Sequence, residues 1–285
     1  MSINTLVGKE NILFLSGKEM EIHCNNLNTI SDITLSNYKF DQFFIVIFPD
    51  KSVYYKNFLP DMYKSIYRPS LDIYKSKFNN KCLDAYEILK NEENAYYKTD
   101  SHINFKGSYK VYLEFIERVN KIYNLNLKAK ELNLSIIKNI NLSELGRGIG
   151  DLTWINNLGD IKLSNINDDY YYSNDIIDFY TRYKIIEDVK IRFLDYQLRD
   201  KTSDLIGKLV DWPIISNYII YIKNIDILNR QKVIVFYDSF LLSSLSLYFD
   251  IFYEVWFIKN VYENDLIKEI NPDFVFEFRV ERFLL

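Results

Sequence analysis

Four short apolar runs constrain this 285-residue chain more than any other feature. "FDQFFIVIFPDK" (40–51) is the first; "VIVFYDS" (233–239), "FYEVWFI" (252–258) and "DFVFEFRV" (273–280) repeat its character. Phe, Ile and Val in succession, stopped by Pro49 and Asp50, form the pattern of a strand buried on both faces, as in a parallel sheet. "LLSSLSLYFD" and "YENDLIKEINPD", which separate the last three runs, read as helices. Strand, helix, strand, helix, strand at this spacing predicts a doubly wound α/β sheet.

The clearest helix is "NFKGSYKVYLEFIERVNKIYN" (104–124), where Tyr109, Tyr112, Leu113, Ile116, Val119 and Tyr123 recur at three- and four-residue steps. Glu114 with Arg118 and Glu117 with Lys121 fall four apart on the opposite face. At 48% hydrophobic the chain can build a core, and with 24 Tyr and 20 Phe that core should be rich in rings. Eight Gly and five Pro leave little for long flexible linkers, so residues 1–285 are expected to form a single domain. Within it, 160–224 alternates polar and Tyr/Ile-rich stretches and reads as a strand-rich insertion packed on the α/β core.

Several function classes are disfavoured. The 35 basic and 39 acidic residues are well mixed, with no basic stripe of the kind nucleic acids need. Cys24 and Cys82 form no CxxC and suggest no disulfide framework, and two Cys with two scattered His predict no metal site. No apolar run approaches a membrane span, and "MSINTLVGKENILFLSGKE" lacks the features of an export signal, so the expectation is a soluble, cytoplasmic protein with no transmembrane segment.

One of the two histidines, His102, stands in "YYKTDSHIN" (96–104), two residues after Asp100 and directly before the long helix. A serine hydroxyl becomes a nucleophile when an imidazole takes its proton and a carboxylate orients that imidazole. "VIVFYDSF" delivers Ser239 to the C-terminal edge of the sheet, where α/β proteins build their sites. A helix expected to begin at once would offer free N–H groups there. The alternatives are plain ones: Asp238 or Ser239 as a helix cap, and Asp100 as a turn residue beside a loop histidine. His23, in "EIHCNN", reads as structural.

Taken together, "GKENILFLSG", "IVIFPDKSVYYKNFLP", "AYYKTDSHINFKG", "GIGDLTW", "YDSF" and "INPDFVFEFRVERFL" run in an order that resembles the SGNH hydrolase-like domain of the alginate O-acetyltransferases and the related DHHW-type proteins of polysaccharide biosynthesis. The resemblance spans residues 8 to 285 except for 160–224. It implies an SGNH-like three-layer α/β/α sandwich with a mainly parallel central sheet, and a Ser-His-Asp triad in permuted chain order. By position, Ser239 would be the nucleophile, His102 the base and Asp100 its orienting carboxylate. Gly150, Asp151, Lys51 and Asn104 would serve the oxyanion or the substrate, with a structural role for Lys51 the equal alternative. Ile103 stands where the family usually has Trp, which bears on the shape of the acceptor pocket.

The implied activity is O-acetylation of a capsule- or exopolysaccharide-type glycan through an acetyl-serine, with no bound cofactor. Acetyl-CoA is the donor a cytoplasmic enzyme would have, and other polysaccharide-synthesis proteins are candidate partners. A carbohydrate acetyl esterase with the same triad, or a non-catalytic glycan-binding protein, are the alternatives. Tyr170, Tyr171 and Tyr172 could stack on pyranose rings or divide between core and surface.

Overall fold

A computed structural model describes residues 5–25, 38–63, 66–141, 150–154, 166–173, 219–223, 227 and 230–284. A short antiparallel pair, β1 (Thr5–Val7) and β2 (Leu13–Leu15), precedes helix α1 (Lys18–Asn25). The first apolar run becomes β3 (Phe43–Phe48), followed by the single turn α2 (Lys51–Tyr54) and helix α3 (Pro69–Phe78). Next come β4 (Cys82–Asp84), α4 (Ala85–Leu89) and the long helix α5 (Phe105–Tyr123). Strands β5 (Ser135–Ile140) and β6 (Asp168–Tyr172) pair antiparallel, with the turn α6 (Asp151–Trp154) between them in sequence. The chain ends with β7 (Ile219–Lys223), β8 (Lys232–Tyr237), β9 (Glu254–Ile258), α7 (Asn264–Ile270) and β10 (Phe274–Val280).

The main sheet runs β4-β3-β10-β8-β9-β7. Its first five strands are mutually parallel, and β7 closes one edge antiparallel to β9. All six residues of β3 are buried, as its unbroken apolar run requires of a strand covered on both faces. Phe44, Val46 and Phe48 face the layer that holds α5, packing with Phe115 and Ile116 and with Phe276 and Phe278 of β10. Phe43, Ile45 and Ile47 face the opposite layer, with Leu71 and Tyr74 of α3 and Leu266 and Ile270 of α7. Three layers result.

Two expectations change in detail. The stretch after Ser239 is not an α-helix starting at the serine; a turn comes first, and Leu242–Tyr248 then form a 3-10 helix whose own cap position is Leu241. Leu, Ser and Tyr there are buried almost throughout, so packing on the sheet, not helical propensity, shapes the segment. Of the stretch 160–224, β6 and β7 lie among the described residues, whereas 160–165 and 174–218 lie outside them. β6 pairs with β5 and β7 belongs to the main sheet, so both ends of the stretch are tied into the rest of the chain. Among the described residues no helix is long and apolar enough to cross a membrane.

Candidate active site

Because five strands run parallel, their C-terminal ends share one edge. β3 delivers Asp50 and Lys51 there, β8 delivers Asp238 and Ser239, and β10 delivers Glu281 and Arg282. Over this edge folds the 95–104 loop, closed at its neck by the Tyr96–Ile103 bridge and by Asn104 N donating to Ala95 O at 2.9 Å. Asn104 caps α5: its Oδ1 accepts from Gly107 N at 3.0 Å, and its Nδ2 donates to Asn94 O. Asn104 is buried, and both ends of its amide are engaged in holding the loop and the helix start.

Ser239, His102 and Asp100 meet in one chain of hydrogen bonds. His102 Nε2 lies 2.9 Å from Ser239 Oγ, and His102 Nδ1 lies 2.6 Å from Asp100 Oδ1. The same carboxylate oxygen accepts His102 N at 2.9 Å. An ionised carboxylate only accepts, so the neutral ring carries its proton on Nδ1 and leaves Nε2 to accept from the serine hydroxyl. Burial works against a charged imidazole, but the Asp100 charge and hydrogen bond, and then the Asp151 charge, raise the His102 pKa above its ordinary value. The Phe240 ring packs on the imidazole with centroids 5.1 Å apart.

The serine turn is held by Asp238, whose Oδ1 accepts from Phe240 N at 2.9 Å and whose Oδ2 accepts from Val280 N at 2.8 Å. Asp238 is thus a turn-capping residue, and it ties β8 to β10. Among the described residues the Ser239 N–H meets no hydrogen-bond acceptor. With the helix displaced to Leu242, stabilisation of an oxyanion by a helix dipole at Ser239 has no structural basis; the backbone N–H is the available donor.

Lys51 is fully buried, and its Nζ donates to Lys98 O at 2.8 Å and to Asp100 O at 3.0 Å. It holds the loop from below, which is what the structural alternative raised from sequence would need. Burial pushes its ammonium down to about 8, against the pull of Asp168, Asp100 and Asp151. Gly150 owes its identity to contact: a Cβ there would lie 2.4 Å from Thr99 O, so only glycine lets α6 start against the loop. Asp151 accepts from Ser101 N at 2.6 Å and Ser101 Oγ at 2.5 Å, and its N–H donates to Asp100 Oδ2 at 3.2 Å. Ile103 is wholly buried in the core, so this position shapes the loop's seat and not an acceptor surface. The tyrosine run divides: Tyr170 is buried against Tyr97, while Tyr171 and Tyr172 are half-buried.

Three supports had no signal in the sequence. Asp168 of β6 accepts from Lys98 N, from Thr99 N at 3.1 Å and from Thr99 Oγ1. Arg282 sets its guanidinium 5.1 Å from the Phe240 centroid and pairs with Asp50. Asp50 in turn meets His23 Nε2 at 2.8 Å, so the second histidine also has a carboxylate, supplied from 27 residues away. His23 is buried, with its Nδ1 at 2.8 Å from Tyr67 O, which is a structural setting.

Asp100, His102 and Asp151 each place one ligand-type atom within 4.8 Å of the others. Asp100 Oδ1 and His102 Nδ1 are joined by the 2.6 Å hydrogen bond.

No family profile and no curated protein matches the chain. Solved structures do. A DHHW family protein from Eubacterium siraeum aligns with a TM-score of 0.58 and 17% identity, over 99% of this chain and 95% of that one. PatB1 of Bacillus cereus, in a structure with a sulfonyl adduct, aligns with a TM-score of 0.60 and 15% identity, over 99% and 96%. The O-acetyltransferase domain of Pseudomonas putida AlgJ gives 0.54 and 12%, over 99% and 92%. The chain shares an α/β/α fold with these proteins along almost its whole length, and its own sheet has five parallel strands at its centre.

Proposed function

We propose that the protein is a glycan O-acetyltransferase that works through an acetyl-Ser239 intermediate. The observation that carries this reading is the Ser239–His102–Asp100 hydrogen-bond chain at the C-terminal edge of the sheet. The fold shared with the O-acetyltransferase domain of AlgJ supports the choice of acyl group, by analogy of fold; the glycan acceptor follows from the resemblance carried by the sequence motifs.

In the first half-reaction Ser239 Oγ attacks the acetyl carbonyl of a thioester such as acetyl-CoA. The hydroxyl proton passes to His102 Nε2, the Oγ–C bond forms, and the carbon–sulfur bond breaks as the thiolate leaves with that proton. Asp100 steadies the imidazolium through Nδ1, and the Ser239 N–H faces the charge that builds on the carbonyl oxygen. In the second half a sugar hydroxyl gives its proton to His102 Nε2 and bonds to the acetyl carbon, the Oγ–C bond breaks, and the proton returns to the leaving Ser239 Oγ.

Water in place of the sugar gives an acetyl esterase, so the acceptor decides between the two activities. The decisive experiment is intact-mass spectrometry of the protein mixed with acetyl-CoA or with p-nitrophenyl acetate. One acetyl adduct, absent from Ser239→Ala and His102→Ala, is expected. Chasing the adduct with glycan oligosaccharides should transfer the acetyl group; loss to water alone would establish the esterase. No adduct and no ester turnover would overturn the catalytic reading in favour of a glycan-binding protein.

A further inference from the structure

His102 is approached by two carboxylates on the same ring nitrogen. Asp100 Oδ1 lies 2.6 Å from Nδ1 and Asp151 Oδ2 lies 3.6 Å from it. The second carboxylate is anchored with care. It accepts both the backbone N–H and the hydroxyl of Ser101, the residue between Asp100 and His102, while its own N–H donates to Asp100 Oδ2. Gly150 and the Leu152 N–H to Thr99 O bond, at 3.2 Å, press this turn onto the loop.

We propose that Asp151 is a positioning residue that shares the imidazole with Asp100 and acts most strongly when His102 is protonated. The inference rests on the acetyl-Ser239 reading for its catalytic meaning. With a neutral ring, two carboxylates crowd each other, and Asp151 is held above its usual carboxylate range by burial and by Asp100. When Ser239 transfers its proton to Nε2, the ring becomes a cation between two anions. The stabilisation therefore grows toward the transition state, which is the condition for accelerating a step and not merely tightening binding.

Among the described residues, the other charged groups near the loop and ring include Lys51 of α2, beneath the Asp100 carbonyl; Asp168 of β6, on Lys98 and Thr99; and Arg282 beyond β10, behind Phe240. Arg282 opposes a charged His102, so Asp151 offsets a cation that lies behind the Phe240 ring.

The first test is independent of activity. The chain has two histidines, so His102→Ala assigns both sets of imidazole signals in an NMR titration, and the buried His23 ring reports that each variant is folded. Asp151→Asn should lower the His102 titration midpoint by about one unit, a tenfold change in its proton affinity, with His23 unmoved. Asp100→Asn should lower it further, and the double variant further still. In acylation by p-nitrophenyl acetate, Asp151→Asn should fall about tenfold in kcat, with KM kept and the pH limb moved down.

A His102 midpoint unchanged in Asp151→Asn overturns the proposal. Slower acylation with an unmoved pH limb, matched by Ser101→Ala, would assign Asp151 to loop support alone. Absence of the serine adduct in the unmodified protein would remove the catalytic reading, while the titration would still decide whether the imidazole is shared.

Discussion

His102 accepts at one ring nitrogen and donates at the other, and the outcome of each variant depends on which side it breaks. Ser239→Ala and His102→Ala should each reduce acylation by about 10⁴- to 10⁶-fold, because either removes the nucleophile–base pair as a unit. The acyl-transfer step needs neutral imidazole. Since the His102 pKa is raised by Asp100 against the effect of burial, the acylation rate should climb with pH through a midpoint above 6.5. A midpoint below 6.5 in a pH–rate profile would count against the pairing. Lys51→Ala removes the ammonium that donates to the Lys98 and Asp100 carbonyls. We expect a loss of about 1–3 kcal/mol in denaturant unfolding and of about 10²-fold in kcat through misplacement of the loop. None of the Lys51 contacts is visible in the "PDK" run, where the lysine reads equally well as a structural or a substrate group.

At the scale of elements, the site is assembled from strand ends and one helix start. The 3.6-residue period of 104–124 predicts α5, and the structure gives it bounds of Phe105–Tyr123, with Asn104 as the cap. Asn104→Ala should cost about 1 kcal/mol, read as a fall in thermal midpoint, and should slow acylation because the cap also closes the loop that carries His102. Gly150→Ala tests the α6 contact: a Cβ 2.4 Å from a backbone carbonyl forces the turn outward at about 1–3 kcal/mol. It should also move Asp151 off the imidazole, so its His102 titration should resemble that of Asp151→Asn. The strand after which Ser239 lies was legible from its apolar run, but the 3-10 segment was not. Its hydrophobic residues suit a helix, and only the surface it packs against dictates a tighter winding.

Across the whole molecule, a buried ionic network underlies the sheet edge. His23, Asp50, Arg282, Glu19 and Glu281 meet there, with Arg68 joining Glu281 to Asp84. Burial alone would lower the His23 pKa, but its hydrogen bond and charge interaction with Asp50 raise it to about 9. The unfolded value is about 6.5, so the protonated ring favours the folded state. Its contribution is complete below pH 6.5 and is lost as pH rises through about 9, roughly 3 kcal/mol in all. Lys51 runs the other way, gaining stability from about pH 8 upward, because its folded pKa is depressed. The difference in unfolding free energy between the unmodified protein and His23→Gln should therefore shrink steadily from pH 6.5 to 9. A difference that stays constant over that range would show that His23 is neutral in the fold.

What the sequence determined by itself is the layered α/β core and the local pair Asp100–His102. Buried parallel strands need unbroken apolar runs, and two residues two positions apart in a tight loop can be seen to meet. What the tertiary structure decided is everything that joins distant segments: the 2.9 Å approach of Ser239 to His102 across 137 residues, the second carboxylate from α6, the Lys51 and Asp168 clamps, and the carboxylate of His23. Hydrogen bonds and ion pairs of this kind act over a few ångströms. Their partners are therefore set by which strand ends share an edge of the sheet, a relation that no local pattern of residues encodes.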